Sequence, residues 1–147
     1  MSTATRRPAT EAAHHLLEVA TGKPTGRVAA RVVGGFFGVC AVGNMAGTLP
    51  QARAFLEWCR DSAWLPPYEW VLGNLVDAAP VVVVATATFE AGVAALLLSR
   101  RHESLAYALA TAWVLGLIPA LGWPYWTVNV AQAVGYGELC RRARARR

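Results

Sequence analysis

Residues 69–99 form one long apolar stretch with Val81, Val82, Val83 and Val84 near its centre, and yet Asp77 and Glu90 lie inside it. A transmembrane helix needs about 20 mostly apolar residues, so this stretch is long enough to cross a bilayer. An ionised carboxylate in hydrocarbon is costly and is retained only where something compensates it. The two acids therefore mark where function is to be sought.

Three further apolar runs, 32–49, 105–121 and 123–139, stand near spanning length, the last interrupted by Asn129, Gln132 and Glu138. With 147 residues there is room for one domain, and 55% hydrophobic content beside 16% charge is more apolar than soluble chains usually are. The helices of a soluble bundle would each show a polar face, and neither the stretch around Val32, Val33 and Phe37 nor the four valines leaves one. The expectation is an all-α, integral-membrane four-helix bundle. Its membrane domain covers residues 27–140, with spans at 32–49, 69–99, 105–121 and 123–139. An N-terminal arm, 1–26, precedes it and a basic tail, 141–147, follows.

The net charge of +5 is distributed unevenly. Arg27 and Arg31 precede the first span, Arg100 and Arg101 separate the second from the third, and Arg141, Arg142, Arg144, Arg146 and Arg147 follow the fourth. In the first connection Arg53 and Arg60 are offset by Glu57, Asp61 and Glu69. By the positive-inside rule both termini face the cytoplasm, in a multi-pass protein of the cytoplasmic membrane. Directly after a span, the arginine-rich tail reads as a topology anchor that attracts anionic membrane lipid, not as a nucleic-acid site.

Aromatic placement agrees with that topology. Trp58, Trp64, Trp70, Trp123 and Trp126 fall in the external connections or at the span ends beside them, as rings at a membrane interface do. The external loop, 50–68, is expected to carry a short interfacial helix, with Ala54, Phe55 and Trp58 facing away from Arg53, Glu57 and Arg60, that ends at Pro66-Pro67 and covers the bundle as a lid. On the cytoplasmic side, Thr10 can cap an amphipathic helix over residues 11–20, with Gly22 past its end.

Several chemistries are disfavoured. His14, His15 and His102 all map to cytoplasmic segments, so the bundle offers no imidazole pair for a haem, and adjacent histidines on a helix diverge too far to begin a metal site. Cys40, Cys59 and Cys140 are placed at three different depths and form no Cys-x-x-Cys pair. Neither a phosphate loop nor a Ser-His-Asp grouping is evident. Gly34-x-x-x-Gly38 and Gly43-x-x-x-Gly47 read as surfaces on which helix backbones approach closely.

What remains is an intramembrane polar set. Counted from the outer ends, Asn44, Asn74, Asp77, Asn129 and Gln132 fall in the outer half and are expected to converge, beneath Trp126, on a ligand-binding cavity. Asn74 and Asp77 share a helix face, and Pro80 frees the Val76 carbonyl beside them. Glu90 belongs to the inner half, where a structural ion pair with Arg31 is expected, since a long side chain can reach along a helix.

The residues also carry a resemblance. Arg31-Val-Val-Gly34-Gly35-Phe-Phe-Gly38 at the start of the first span, and Phe89-Glu90-Ala-Gly92-Val-Ala-Ala-Leu-Leu-Leu at the end of the second, resemble the DoxX family of small four-helix bacterial membrane proteins. The similarity covers about residues 27–140. Family members are similar to a subunit of a thiosulfate:quinone oxidoreductase. Without a catalytic constellation, and with packing glycines and basic cytoplasmic tails, the chain is expected to be an accessory subunit of a membrane complex, a redox one by the resemblance alone, or a homo-oligomer. Cofactors are not evident in the residues themselves; quinone is the one the resemblance admits. The alternatives are a bundle that binds a quinone-like or lipid-like molecule, and a proton-coupled transporter using Asp77 and Glu90.

Overall fold

A computed structural model describes residues 26–146, and within them every regular element is helical, without strands. The arm expected over 1–26, with its helix at 11–20, lies outside the described residues apart from Gly26. Six α-helices follow in order: α1 (Gly26–Gly43), α2 (Ala52–Ser62), α3 (Pro66–Leu75), α4 (Ala79–Leu98), α5 (Glu103–Leu117) and α6 (Tyr125–Ala145). Short irregular turns join α1 to α2 and α3 to α4, so the chain forms four helical rods. Two of these, Gly26–Ser62 and Pro66–Leu98, are long and apolar enough to cross a membrane.

The first irregular turn contains Pro50 and the second precedes Pro80. Pro50 has no N–H to give to the Ala46 carbonyl, and the chain responds with a π-helical segment, Asn44–Thr48, in which the Leu49 N–H bonds back to the Asn44 carbonyl. A 3-10 turn, Leu49–Gln51, then leads into α2. Pro80 acts in the same way on the second rod. The Val76 carbonyl it would leave unpaired is taken by the Ala79 N–H in a 3-10 turn, Val76–Ala78. The carbonyl is therefore satisfied within its own chain, and the long apolar stretch 69–99 is divided into α3 and α4 with Asp77 at the division.

α1 packs antiparallel to α4. A Cβ on Gly34 would stand 3.0 Å from Leu98 and 3.1 Å from Leu97, and one on Gly38 would touch Ala94 at 3.9 Å. These small residues bring the two backbones together, as their spacing predicts. α5 pairs with α6 in the same antiparallel sense, and the buried Cys140 Sγ donates to the Ser104 carbonyl at 3.2 Å. The two pairs share one core built from Val33, Phe37, Val93, Leu97, Tyr107, Val114 and Tyr136. Large rings bridge them: Phe37 lies 5.9 Å from Tyr136 and Phe89 lies 5.0 Å from Trp113, centroid to centroid.

The segment expected as an external loop, 50–68, is mostly helix. α2 continues the first rod to Ser62, and Pro66 begins α3 instead of closing an interfacial helix. The buried face of α2 is Ala52, Leu56 and Cys59, while Phe55 and Trp58 are exposed. A straight rod would carry Ser62 about 54 Å from Gly26, whereas Ile118 stands only about 22 Å above the start of α5. Even so, Trp64 Nε1 donates to the Ile118 carbonyl at 2.8 Å and the Trp64 N–H to the Pro119 carbonyl at 3.3 Å. Contact at that level requires both rods to bend at their breaks, which folds the α2–α3 hairpin back onto the α5–α6 connection. At the opposite end Arg146 pairs with Glu103 at 3.3 Å and lies against Gly26. The basic tail is no separate unit in its secondary structure, since α6 continues through Arg141, Arg142 and Arg144.

Candidate functional site

The buried carboxylate among the described residues is Glu90, 6% exposed on α4. Its partner is Asn44, the first residue of the π segment, whose Nδ2 donates to Glu90 Oε2 at 2.7 Å. Cys40 lies one turn earlier on the same face of α1. A polar pair, Asn44 and Glu90, thus meets between α1 and α4 at the level where the first rod changes from α to π. Segments of this kind recur at functional sites because they turn one side chain out of helical register.

The expected Arg31–Glu90 pair is not formed, and Arg31 is exposed. The register explains it. Gly34 stands opposite Leu97 and Leu98, and Gly38 opposite Ala94, which sets residues near 42 to 44 level with Glu90. Arg31 lies about 16 Å away along the helix axis, at the level of the α4–α5 turn. That distance exceeds what an arginine spans.

The expected outer cavity does not assemble either. Asp77 projects outward, its side chain 92% exposed, and pairs with Arg53 at 3.1 Å; Arg53 also holds Glu57 at 3.1 Å. Asn74 is exposed and donates to the Trp70 carbonyl of its own helix at 2.8 Å, on the rim of a shallow cleft that includes Arg60, Glu69 and Trp70. Asn44 has gone to Glu90. Gln132 is half-buried on α6, and Asn129, one turn earlier, is buried with its Nδ2 unpartnered among the described residues. Trp126 joins Trp64, Trp123, Ile118, Gly122 and Val130 around a cavity of about 520 Å³ at the N-terminal end of α6. The cavity is aromatic instead of polar.

Two features could have been found in advance. The union of Asn44 with Glu90 follows from laying Gly34 and Gly38 against the leucines that end α4. The aromatic cavity follows from the crowding of tryptophans at residues 58–70 and 123–126. Among the described residues no three His, Cys, Asp or Glu side chains gather as metal ligands would. No family model matches the chain, and neither a curated protein nor a solved structure does so.

Proposed function

We propose that this chain is a small, DoxX-like integral membrane protein that crosses the cytoplasmic membrane four times with both termini inside, and that it serves as an accessory subunit of a membrane complex. The observation that carries the reading is the inverted character of the helices. Val32, Val39 and Val42 on α1, Val81 on α4, Leu105 on α5 and Val134 on α6 are each more than half exposed, while Glu90 and Asn129 are buried. Apolar surface on that scale calls for lipid or a protein partner. The clustering of Arg27, Arg31, Arg100, Arg101 and the arginines of α6 at one end, with the tryptophans at the other, supports the stated orientation. In this reading the α2–α3 hairpin lies along the outer interface, and Asp77 meets water at the elbow.

The subunit role rests on the first rod. Gly34 and Gly38 are spent on α4, but a Cβ on Gly43 or Gly47 would meet nothing within 4 Å. That second pair is open to a helix from another chain, which the DoxX likeness makes a redox partner. Alkaline carbonate extraction followed by purification in mild detergent tests both parts. The protein should remain in the membrane fraction and carry a stoichiometric partner that Gly43→Leu releases. Full release into carbonate would refute the membrane reading, and a homogeneous monomer from native membranes would refute the subunit role.

The aromatic cavity favours a second reading, in which a quinone-like or lipid-like molecule lies against Trp64, Trp123 and Trp126. Flat rings stack on such indoles. A retained small molecule that Trp126→Ala abolishes would support it. A proton-coupled path keeps only Glu90 within the bundle, because Asp77 stands on the surface.

A further inference from the structure

A groove of about 400 Å³ runs between α5 and α6 on the surface of the bundle, and its two ends differ. At the cytoplasmic end it is closed by Arg141 and Arg144; deeper in, it is walled by Ala108, Ala112 and Leu115. Gly137 keeps it open, since nothing lies within 4 Å of where its Cβ would be. The hydroxyl of Thr111 is turned to the Tyr107 carbonyl at 2.7 Å, so this residue offers the groove its methyl-bearing side.

The charges at the mouth are unequal. Arg141 is held by Glu138, its Nε and Nη2 donating to the two carboxylate oxygens at 2.7 Å each, and Arg142 donates to the same carboxylate at 2.6 Å. Arg144 makes no ion pair among the described residues. Of the five N–H donors on a guanidinium, Arg141 retains three and Arg144, among the described residues, all of its own. A groove with free guanidinium donors at one end and only apolar walls beyond is complementary to an anion carrying a long hydrocarbon chain. The corresponding groove between α1 and α4, lined by Ala41, Val42, Met45, Val84, Ala87 and Ala91, has no charged end.

We infer that the α5–α6 groove binds one anionic phospholipid of the inner leaflet, its phosphate between Arg144 and the outer edge of Arg141 and one acyl chain along Ala108, Ala112 and Leu115. The inference rests on the membrane reading above and gives its lipid contact a place and a chemistry.

The test is native mass spectrometry of the full-length protein released from nanodiscs made of equal parts phosphatidylglycerol and phosphatidylcholine. The wild type should retain one phosphatidylglycerol in preference to phosphatidylcholine. Arg144→Gln should lower that retention about fivefold, the effect of one arginine at an anionic surface, and Gly137→Leu should lower it at least as far by filling the groove with all charges in place. Arg101→Gln, which removes an exposed arginine of the same end from outside the groove, should leave retention unchanged. Equal losses in Arg101→Gln and Arg144→Gln would overturn the inference in favour of diffuse surface charge, and so would full retention in Gly137→Leu. Failure of the membrane reading would appear separately, as release of the protein by alkaline carbonate.

Discussion

Removal of the Asn44 amide should destabilise the protein more than removal of any exposed charge, because it strands the buried carboxyl of Glu90. The hydrogen bond is short, 2.7 Å, and its acceptor is 6% exposed. Bonds to charged groups contribute about 1.5–3 kcal/mol, and an abandoned buried partner adds its own desolvation cost, so Asn44→Ala should cost about 2–3 kcal/mol. Glu90→Gln keeps an acceptor oxygen for Asn44 Nδ2 while removing the charge, and should cost under about 1 kcal/mol. Once the charge is gone, loss of the amide is milder, so the double variant should fall short of the sum by about 1–2 kcal/mol. Arg31→Ala, about 16 Å away along the helix, should shift stability by no more than about 0.5 kcal/mol. Unfolding followed by circular dichroism in mild detergent, with all four variants in parallel, measures the cycle. Additivity within about 0.5 kcal/mol, or a loss in Arg31→Ala equal to that in Asn44→Ala, would refute the assignment of Asn44 as the partner.

Asp77→Asn should be close to silent in unfolding experiments, within about 0.5 kcal/mol, because the Arg53–Asp77 pair is 65% and 92% exposed and solvent screens it. Gly34→Ala should cost about 1–3 kcal/mol by forcing a methyl against Leu97 and Leu98, while Gly35→Ala, where the added carbon meets nothing, should gain up to about 1 kcal/mol in helix propensity; thermal melts of the pair decide it. Cys59, on the buried face of α2, has its thiol pushed up to about 11 by burial from an ordinary 9.0. The folded protein should resist iodoacetamide at Cys59 at neutral pH and react fully once unfolded. Because the unfolded thiol ionises first, this group's contribution to stability should fall as pH rises from about 9 toward about 11.

Much of the helical plan is legible in the chain, and the reason lies in the apolar runs and in small residues at helical spacing. Gly34 and Gly38 announce the close approach of α1 to α4, and the separation of arginines from tryptophans announces two unlike ends. The course of each rod is harder to read. Hydropathy adds along the chain and does not register direction, so Asp77 counts as buried within 69–99 although Pro80 sets an elbow there and turns it out to Arg53. Depth counted from separately assigned span ends fails for the same reason: the first rod runs on to Ser62, and Asn44 and Glu90, assigned to opposite halves, are in contact. Arg31 shows the limit of arguing from reach alone, since a long side chain cannot make up a register difference of about three helical turns.

Helix pairs bridged by large rings, Phe37 to Tyr136 and Phe89 to Trp113, with one indole hydrogen bond from Trp64 to Ile118, have an unequal distribution of cohesion. Gly34 and Gly38 hold α1 close against α4, while the seam between the pairs is filled by large side chains. Such a molecule yields first along its seam, and the α1–α4 and α5–α6 hairpins can part while each stays helical. Loss of near-ultraviolet aromatic signal would then precede loss of helical signal on heating, and Trp64→Phe, which keeps a ring but loses the donor, would widen the interval between the two.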